Sequence, residues 1–209
     1  MTVKDRLIET ALTEWTRWGG PVERIDGSLV GFGSAQMEAD HPHWIYVGEY
    51  WKSIGSTLDG RDDVAWSAAF ISHCFQHAGA GKLFPYHENH SYYAAAIASG
   101  EYSGLSIEDP AGLAPIPGDL IWASRTGKGC RTPPATYADS IAELKKIHQG
   151  KASGFCSRTD IVVATRGGEV DVIGGNVKQA VTRTTYRLDI HGRMADGRRN
   201  FIGVIRNAL

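Results

Sequence analysis

The segment that constrains this chain most lies between Asp62 and Gly81. From about Val64 to His77 it reads Val-Ala-Trp-Ser-Ala-Ala-Phe-Ile-Ser-His-Cys-Phe-Gln-His, with Ala68, Ala69, Phe70, Ile71, Cys74 and Phe75 spread around much of the turn. A helix that is apolar nearly all round is buried on every side, so this one sits at the centre of its domain. Asp62 or Asp63 is placed to cap it, because a carboxylate accepts bonds from the free N–H groups of a first helical turn. Gly79 and Gly81 end it.

The segments around it supply the covering layers. Asp5 to Trp18 carries Leu7, Ile8, Ala11, Leu12, Trp15 and Trp18 at three- and four-residue spacing and predicts an amphipathic helix, stopped by Gly19-Gly20-Pro21. Val22 to Asp40 is Gly-rich and reads as irregular. Trp44 to Ile54 and His90 to Ser99 predict two more helices. The second half changes character. Leu120–Ala123, Asp160–Ala164, Val170–Ile173, Val181–Leu188 and Phe201–Ile205 read as strands, with a hairpin turn at Arg166-Gly167-Gly168-Glu169. Cys130 to Gly154 reads as an insertion with its own helix from Tyr137 to His148. Helices first and antiparallel strands after predict an α+β domain, with helices packed on one side of a small sheet. At roughly 150 residues per domain, 209 residues suggest one domain with an elaborated end. We therefore read 1–45 as an N-terminal helical extension and 46–209 as the domain, with the insertion at about 130–154.

Composition narrows the function classes. Lys and Arg number 22 against 23 Asp and Glu, a net charge of -1, which argues against nucleic-acid binding driven by charge. No apolar run approaches the roughly 18 residues of a membrane-spanning helix. Met1 to Arg6 lacks the apolar stretch of a secretory signal. The expectation is a chain that is cytoplasmic as synthesised, with export by a route needing no cleavable signal left open. The cysteines, Cys74, Cys130 and Cys156, show no metal-ligand spacing. Their odd count argues weakly against a disulfide framework, though one bridge is open. His41-Pro42-His43 lacks a third ligand at metal spacing, so no metal and no cofactor is expected.

Chemistry points to the start of the central helix. The helix dipole contributes up to about 2 kcal/mol, and about 1.4 kcal/mol moves a pKa by one unit. That matters for a thiol but cannot by itself activate a hydroxyl. Ser67 as a nucleophile therefore needs a general base within hydrogen-bond reach.

Four blocks occur in order: Trp66-Ser67-Ala68-Ala69-Phe70-Ile71-Ser72, Pro117-Gly118-Asp119-Leu120-Ile121, Asp160-Ile161-Val162-Val163 and Ile173-Gly174-Gly175-Asn176. Together they resemble the papain-like amidase superfamily, which includes the CHAP and NlpC-type cell-wall amidases and endopeptidases. The likeness is closest to a bacterial branch of unknown function that itself carries Trp-Ser-Ala-Ala-Phe. In that branch, segments similar to Gly48-Glu49-Tyr50-Trp51 and Asn89-His90-Ser91-Tyr92-Tyr93 flank it. The resemblance covers about Val47 to Ile205.

The resemblance implies a papain-like fold, amide hydrolysis on a cell-wall peptide, and a site that differs from the superfamily's. The catalytic cysteine falls on Ser67, the histidine on Arg158, and the orienting polar residue on Asn176. Arginine stays protonated and cannot serve as a base. Three readings follow. The fold binds a cell-wall peptide or protein partner without cutting it, or another base reaches Ser67, or Cys156 beside Arg158 is a displaced nucleophile. For the second, His90 is the best placed, while His73 and His77 lie further down the helix. In that scheme Ser67 attacks, His90 is the base and Asn176 orients it. Arg158, Trp66 and Asp160 are the candidate substrate contacts: Arg158 holds an anionic group or simply pairs with Asp160, and Trp66 walls a groove or fills the core. The partners implied are peptidoglycan or a peptide and, for an antibacterial effector delivered to a rival cell, a neutralising immunity protein.

Overall fold

The computed structural model describes residues 1–33, 37–127 and 129–209. Among these the chain forms five α-helices and an eight-stranded sheet. The helices are α1 (Val3–Arg17), α2 (His43–Lys52), α3 (Ser67–His77), α4 (His90–Ala98) and α5 (Tyr137–His148). The strands are β1 (Val22–Glu23), β2 (Leu29–Val30), β3 (Leu105–Glu108), β4 (Leu120–Ser124), β5 (Ser157–Arg166), β6 (Glu169–Val177), β7 (Ala180–Arg187) and β8 (Asn200–Asn207). Their order in the sheet is β2-β1-β7-β6-β5-β4-β8-β3.

The α+β class is as the sequence indicates, but the sheet is neither small nor wholly antiparallel. β1 runs parallel to β7, with Val22 opposite Arg183. β1 and β2 come from the segment read as irregular. Each is two residues long, too short for alternation to register. β3 was missed for the same reason, at four residues.

Successive strand residues point to opposite faces, and the two faces differ. One carries the main core, which gathers Leu7, Ala11 and Trp18 from α1 and its cap, Tyr50 and Trp51 from α2, Phe70 and Phe75 from α3, Tyr93 from α4, and Ile161 and Ile173 from the sheet. Residues on both sides of position 45 thus share one core. The Trp18 ring stacks on Trp66 at 5.5 Å between centroids. The opposite face carries a smaller cluster of Ile121, Val162, Val170, Val172 and Tyr186.

α3 lies against β5 and β6, as a helix apolar on all sides requires. It starts at Ser67, later than the apolar pattern suggests. Trp66 is its cap residue and provides no side-chain cap. Asp62, expected to cap, instead accepts the Asp59 N–H at 2.7 Å in the preceding turn. Two adjacent glycines on β6 set how closely the layers approach. A Cβ on Gly175 would lie 2.5 Å from Phe70 Cβ and 2.7 Å from Trp66 Cζ3, on the helical side. A Cβ on Gly174 would lie 1.7 Å from Asp160 Oδ1, on the other side. Among the described residues no helix is long and apolar enough to cross a membrane.

Candidate active site

The late start of α3 makes Ser67 its first residue. The Ser67 Oγ lies 2.7 Å from His90 Nε2, and His90 is the first residue of α4. Both side chains are nearly closed to solvent, at 5% and 4% exposure. α4 is fixed by Asn89, whose Oδ1 accepts from the Ser91 N–H at 2.9 Å and the Ser91 hydroxyl at 2.8 Å. Ser91 Oγ accepts in turn from the Phe155 N–H at 3.0 Å.

The far side of the imidazole is held by hydroxyls. His90 Nδ1 lies 2.6 Å from Tyr93 OH, one turn along α4, and 3.1 Å from Thr159 Oγ1 on β5. The Tyr93 and Thr159 hydroxyls also bond each other. Each hydroxyl both donates and accepts, so the ring is satisfied in either tautomer. When the Ser67 O–H donates to Nε2, Nδ1 carries the proton and donates to the hydroxyl pair. Burial pushes the His90 pKa well below its ordinary value, and the Arg158 and Arg125 guanidiniums push it the same way. The ring is therefore neutral at pH 7. Burial also raises the Tyr93 phenol, which stays protonated.

Ser67 opens into a cavity of about 100 Å³ whose wall includes Asn89, Arg125, Phe155, Cys156 and Ser157. The first N–H groups of a helix have no partner within it. Trp66 provides no side-chain cap, so among the described residues no side chain caps the first turn of α3 at the end that carries Ser67. The loop before β5 is tied down by a disulfide between Cys130 and Cys156, with Cα atoms 5.5 Å apart. Arg131 adds bonds to the Ser153 and Gly154 carbonyls at 2.8 and 3.1 Å. The disulfide corrects one reading of the sequence: Cys156 has no free thiolate and is not a displaced nucleophile. Cys74 is a buried free cysteine whose thiol burial pushes up, so it is inert.

Other expected residues fall elsewhere. Asn176 does not touch His90. It lines a second cavity, and its carbonyl accepts from Arg158 at 3.5 Å. The groups at His90 Nδ1 are instead the Tyr93 and Thr159 hydroxyls, which the sequence reading missed; the three-residue spacing from His90 to Tyr93 was the available signal. Arg158 faces the opposite side of the sheet from Ser67. Its Nε donates to both Asp160 oxygens, at 2.8 and 3.0 Å, and an Nη donates to the Gly175 carbonyl at 3.0 Å. Asp160 is 4% exposed and committed to this pair. Trp66 is fully buried, and its Nε1 donates to the Glu38 carboxylate at 2.6 Å, so it is core and not a groove wall. His73 turns away from Ser67 to Ser53 Oγ at 3.0 Å. Among the described residues no group of three His, Cys, Asp or Glu is arranged to hold a metal.

A family of bacterial proteins described as "Uncharacterized protein conserved in bacteria (DUF2272)" matches residues 30–206. The chain belongs to this family. The DUF2272 span contains Ser67, His90, Tyr93, Thr159 and the walls of both cavities; α1 and β1 lie outside it. No curated protein and no solved structure matches the chain.

Proposed function

We propose that the protein is a papain-like hydrolase of amide bonds in cell-wall peptide, with Ser67 in place of the superfamily's cysteine. The observation that carries this reading is the 2.7 Å contact between Ser67 Oγ and a neutral, buried His90 Nε2 at the start of α3. In the proposed reaction Ser67 Oγ attacks the carbonyl carbon and its proton passes to His90 Nε2. The first-turn N–H groups of α3 receive the developing oxyanion. His90 returns the proton to the leaving amine as the C–N bond breaks. Water, deprotonated by the same ring, then hydrolyses the acyl-serine and frees the acid.

The papain-like likeness is supported by a nucleophile at the N-terminus of a helix packed on a sheet. The base differs in origin, since it comes from α4 and not from β5. The Cys130–Cys156 bond supports action outside a reducing cytosol, because disulfides persist in oxidising compartments. An antibacterial effector would come with a neutralising partner protein; periplasmic expression without toxicity would count against that setting.

The hydroxyl pair behind His90 favours one competing reading. Among the described residues no carboxylate balances an imidazolium there, and two guanidiniums oppose it. Spoiling the carboxylate of a serine triad costs about 10⁴-fold in turnover, so a fold that only binds a cell-wall peptide is the alternative. Digestion of purified muropeptides by the wild type and by Ser67→Ala, followed by mass spectrometry, separates the two. New fragments from the wild type alone support the hydrolase. Saturable binding with no fragments supports the binding module.

A further inference from the structure

The second cavity, about 400 Å³, lies where the ends of β4, β6 and β8 meet, and five cationic side chains line it: Arg125, Arg158, Lys178, Arg198 and Arg199. That is an unusual concentration in a chain whose net charge is -1. Carboxylates account for two of the five. Arg158 pairs with Asp160, and Arg198 pairs with Asp196 at 2.8 Å and approaches Glu23 at 3.6 Å. Among the described residues Arg125, Lys178 and Arg199 have no carboxylate within ion-pair distance; Arg199 makes a long bond to Tyr186 OH at 3.4 Å and interacts with Asp160 and Glu23 only from further off.

Lys178 is not there for the turn it occupies. Val177 pairs with Ala180, so Lys178 and Gln179 form a two-residue hairpin turn. Both have positive φ, 53° and 63°. Such a turn strongly prefers Asn-Gly, and a long side chain there costs conformational energy. Preceding it, Asn176 is also left-handed, at φ 57°. Two of these three left-handed non-glycine residues, Asn176 and Lys178, line the basic cavity. Strain of this kind clusters at ligand-binding sites.

We propose that this cavity is an anion subsite that takes a doubly charged oxyanion, a phosphoryl group or paired carboxylates, on the molecule presented to Ser67. Arg125 is the link, because it lines both this cavity and the one at Ser67. An anion seated against Arg125 therefore borders the Ser67 cavity at that one side chain. The same charge offsets the guanidiniums that oppose protonation of His90 during turnover. That the anion belongs to a substrate rests on the hydrolase reading; that the cavity binds it does not.

The test is calorimetric titration of the full-length protein with inorganic phosphate and, separately, with glutarate, at low and high salt. One-site saturation by either probe, weakened by salt, is expected, and the tighter probe assigns the chemistry. Lys178→Asn is expected to weaken binding by about 10-fold, as loss of one charge-assisted contact does, while the thermal midpoint stays or rises because Asn suits the turn. Arg199→Gln should weaken binding as well. Ser67→Ala should bind the probes as the wild type does; a wild type that binds them but yields no muropeptide fragments would retire the hydrolase reading and leave the subsite standing. Failure of both probes to saturate, or wild-type affinity in both Lys178→Asn and Arg199→Gln, would overturn the proposal.

Discussion

Gly175→Ala tests the packing that places Ser67. The added methyl would sit 2.5 Å from Phe70 Cβ and 2.7 Å from both Phe70 Cγ and Trp66 Cζ3. Carbon atoms pack best at about 3.5–4.0 Å, so α3 and β6 must part by about 1 Å. Neither side yields readily. Phe70 and Trp66 are fully buried, and Trp66 is held between Trp18 and Glu38. Overpacking of this kind costs about 1–3 kcal/mol. For a domain of this size each kcal/mol lowers Tm by about 2–4 °C, which gives a fall of about 2–12 °C by scanning calorimetry. Because Trp66 precedes Ser67, a 1 Å shift also lengthens the bond to His90, and a misplacement of that size costs about 10²-fold in rate. An unchanged midpoint would refute the claim that bare backbone at 175 is what lets α3 reach the sheet.

The neutral state of His90 sets a pH profile. Its pKa lies well below 6.5, so a rate that needs the neutral ring should hold as pH falls through 6.5 and drop only below it. Arg125→Gln should move that limb upward, and a wild-type limb at or above 6.5 would contradict the reading. The same shift sets a sign for stability. The ring protonates near 6.5 only in the unfolded chain, so its contribution is complete above 6.5 and is lost as pH falls from there toward the lower folded value; urea midpoints at pH 7.5 and 5.5 measure it. Tyr93→Phe removes one of two hydroxyls on Nδ1, a change of about 1 kcal/mol or roughly fivefold in kcat/KM. Adding Thr159→Val should lose much more, because the ring then has no partner on that side. Reducing the Cys130–Cys156 bond releases a loop closed over 26 residues, a loss of about 3.5 kcal/mol that thermal unfolding with and without reductant would show.

Much of the scaffold was legible because its signals are local. The periodicity of α1, the all-round apolar surface of α3, and the turns around β5 and β6 all lie in short windows of sequence. α5 falls at Tyr137–His148, the span its pattern gave. The sheet was undercounted because β1, β2 and β3 are held by pairing with distant strands and not by their own pattern. At the site, Ser67 stood out by its place on a buried helix, and His90 by lying soon after it. Their meeting depends on how α3 and α4 dock, which one-dimensional spacing does not contain. Asn176 was misplaced because it lies one residue past Gly174-Gly175, where a left-handed backbone turns it toward the basic cavity. The basic cavity was invisible for a related reason: Arg125, Lys178 and Arg199 are spread over 75 residues, and near-zero net charge hides such a cluster.

The central claim is that His90 makes Ser67 a nucleophile. The most direct measurement is labelling with a fluorophosphonate, which forms a covalent adduct only with an activated hydroxyl, read by peptide mass spectrometry on the wild type and on His90→Gln. The account predicts one adduct, on Ser67, in the wild type and its loss in His90→Gln. No adduct on Ser67, or equal labelling in the two proteins, would contradict it.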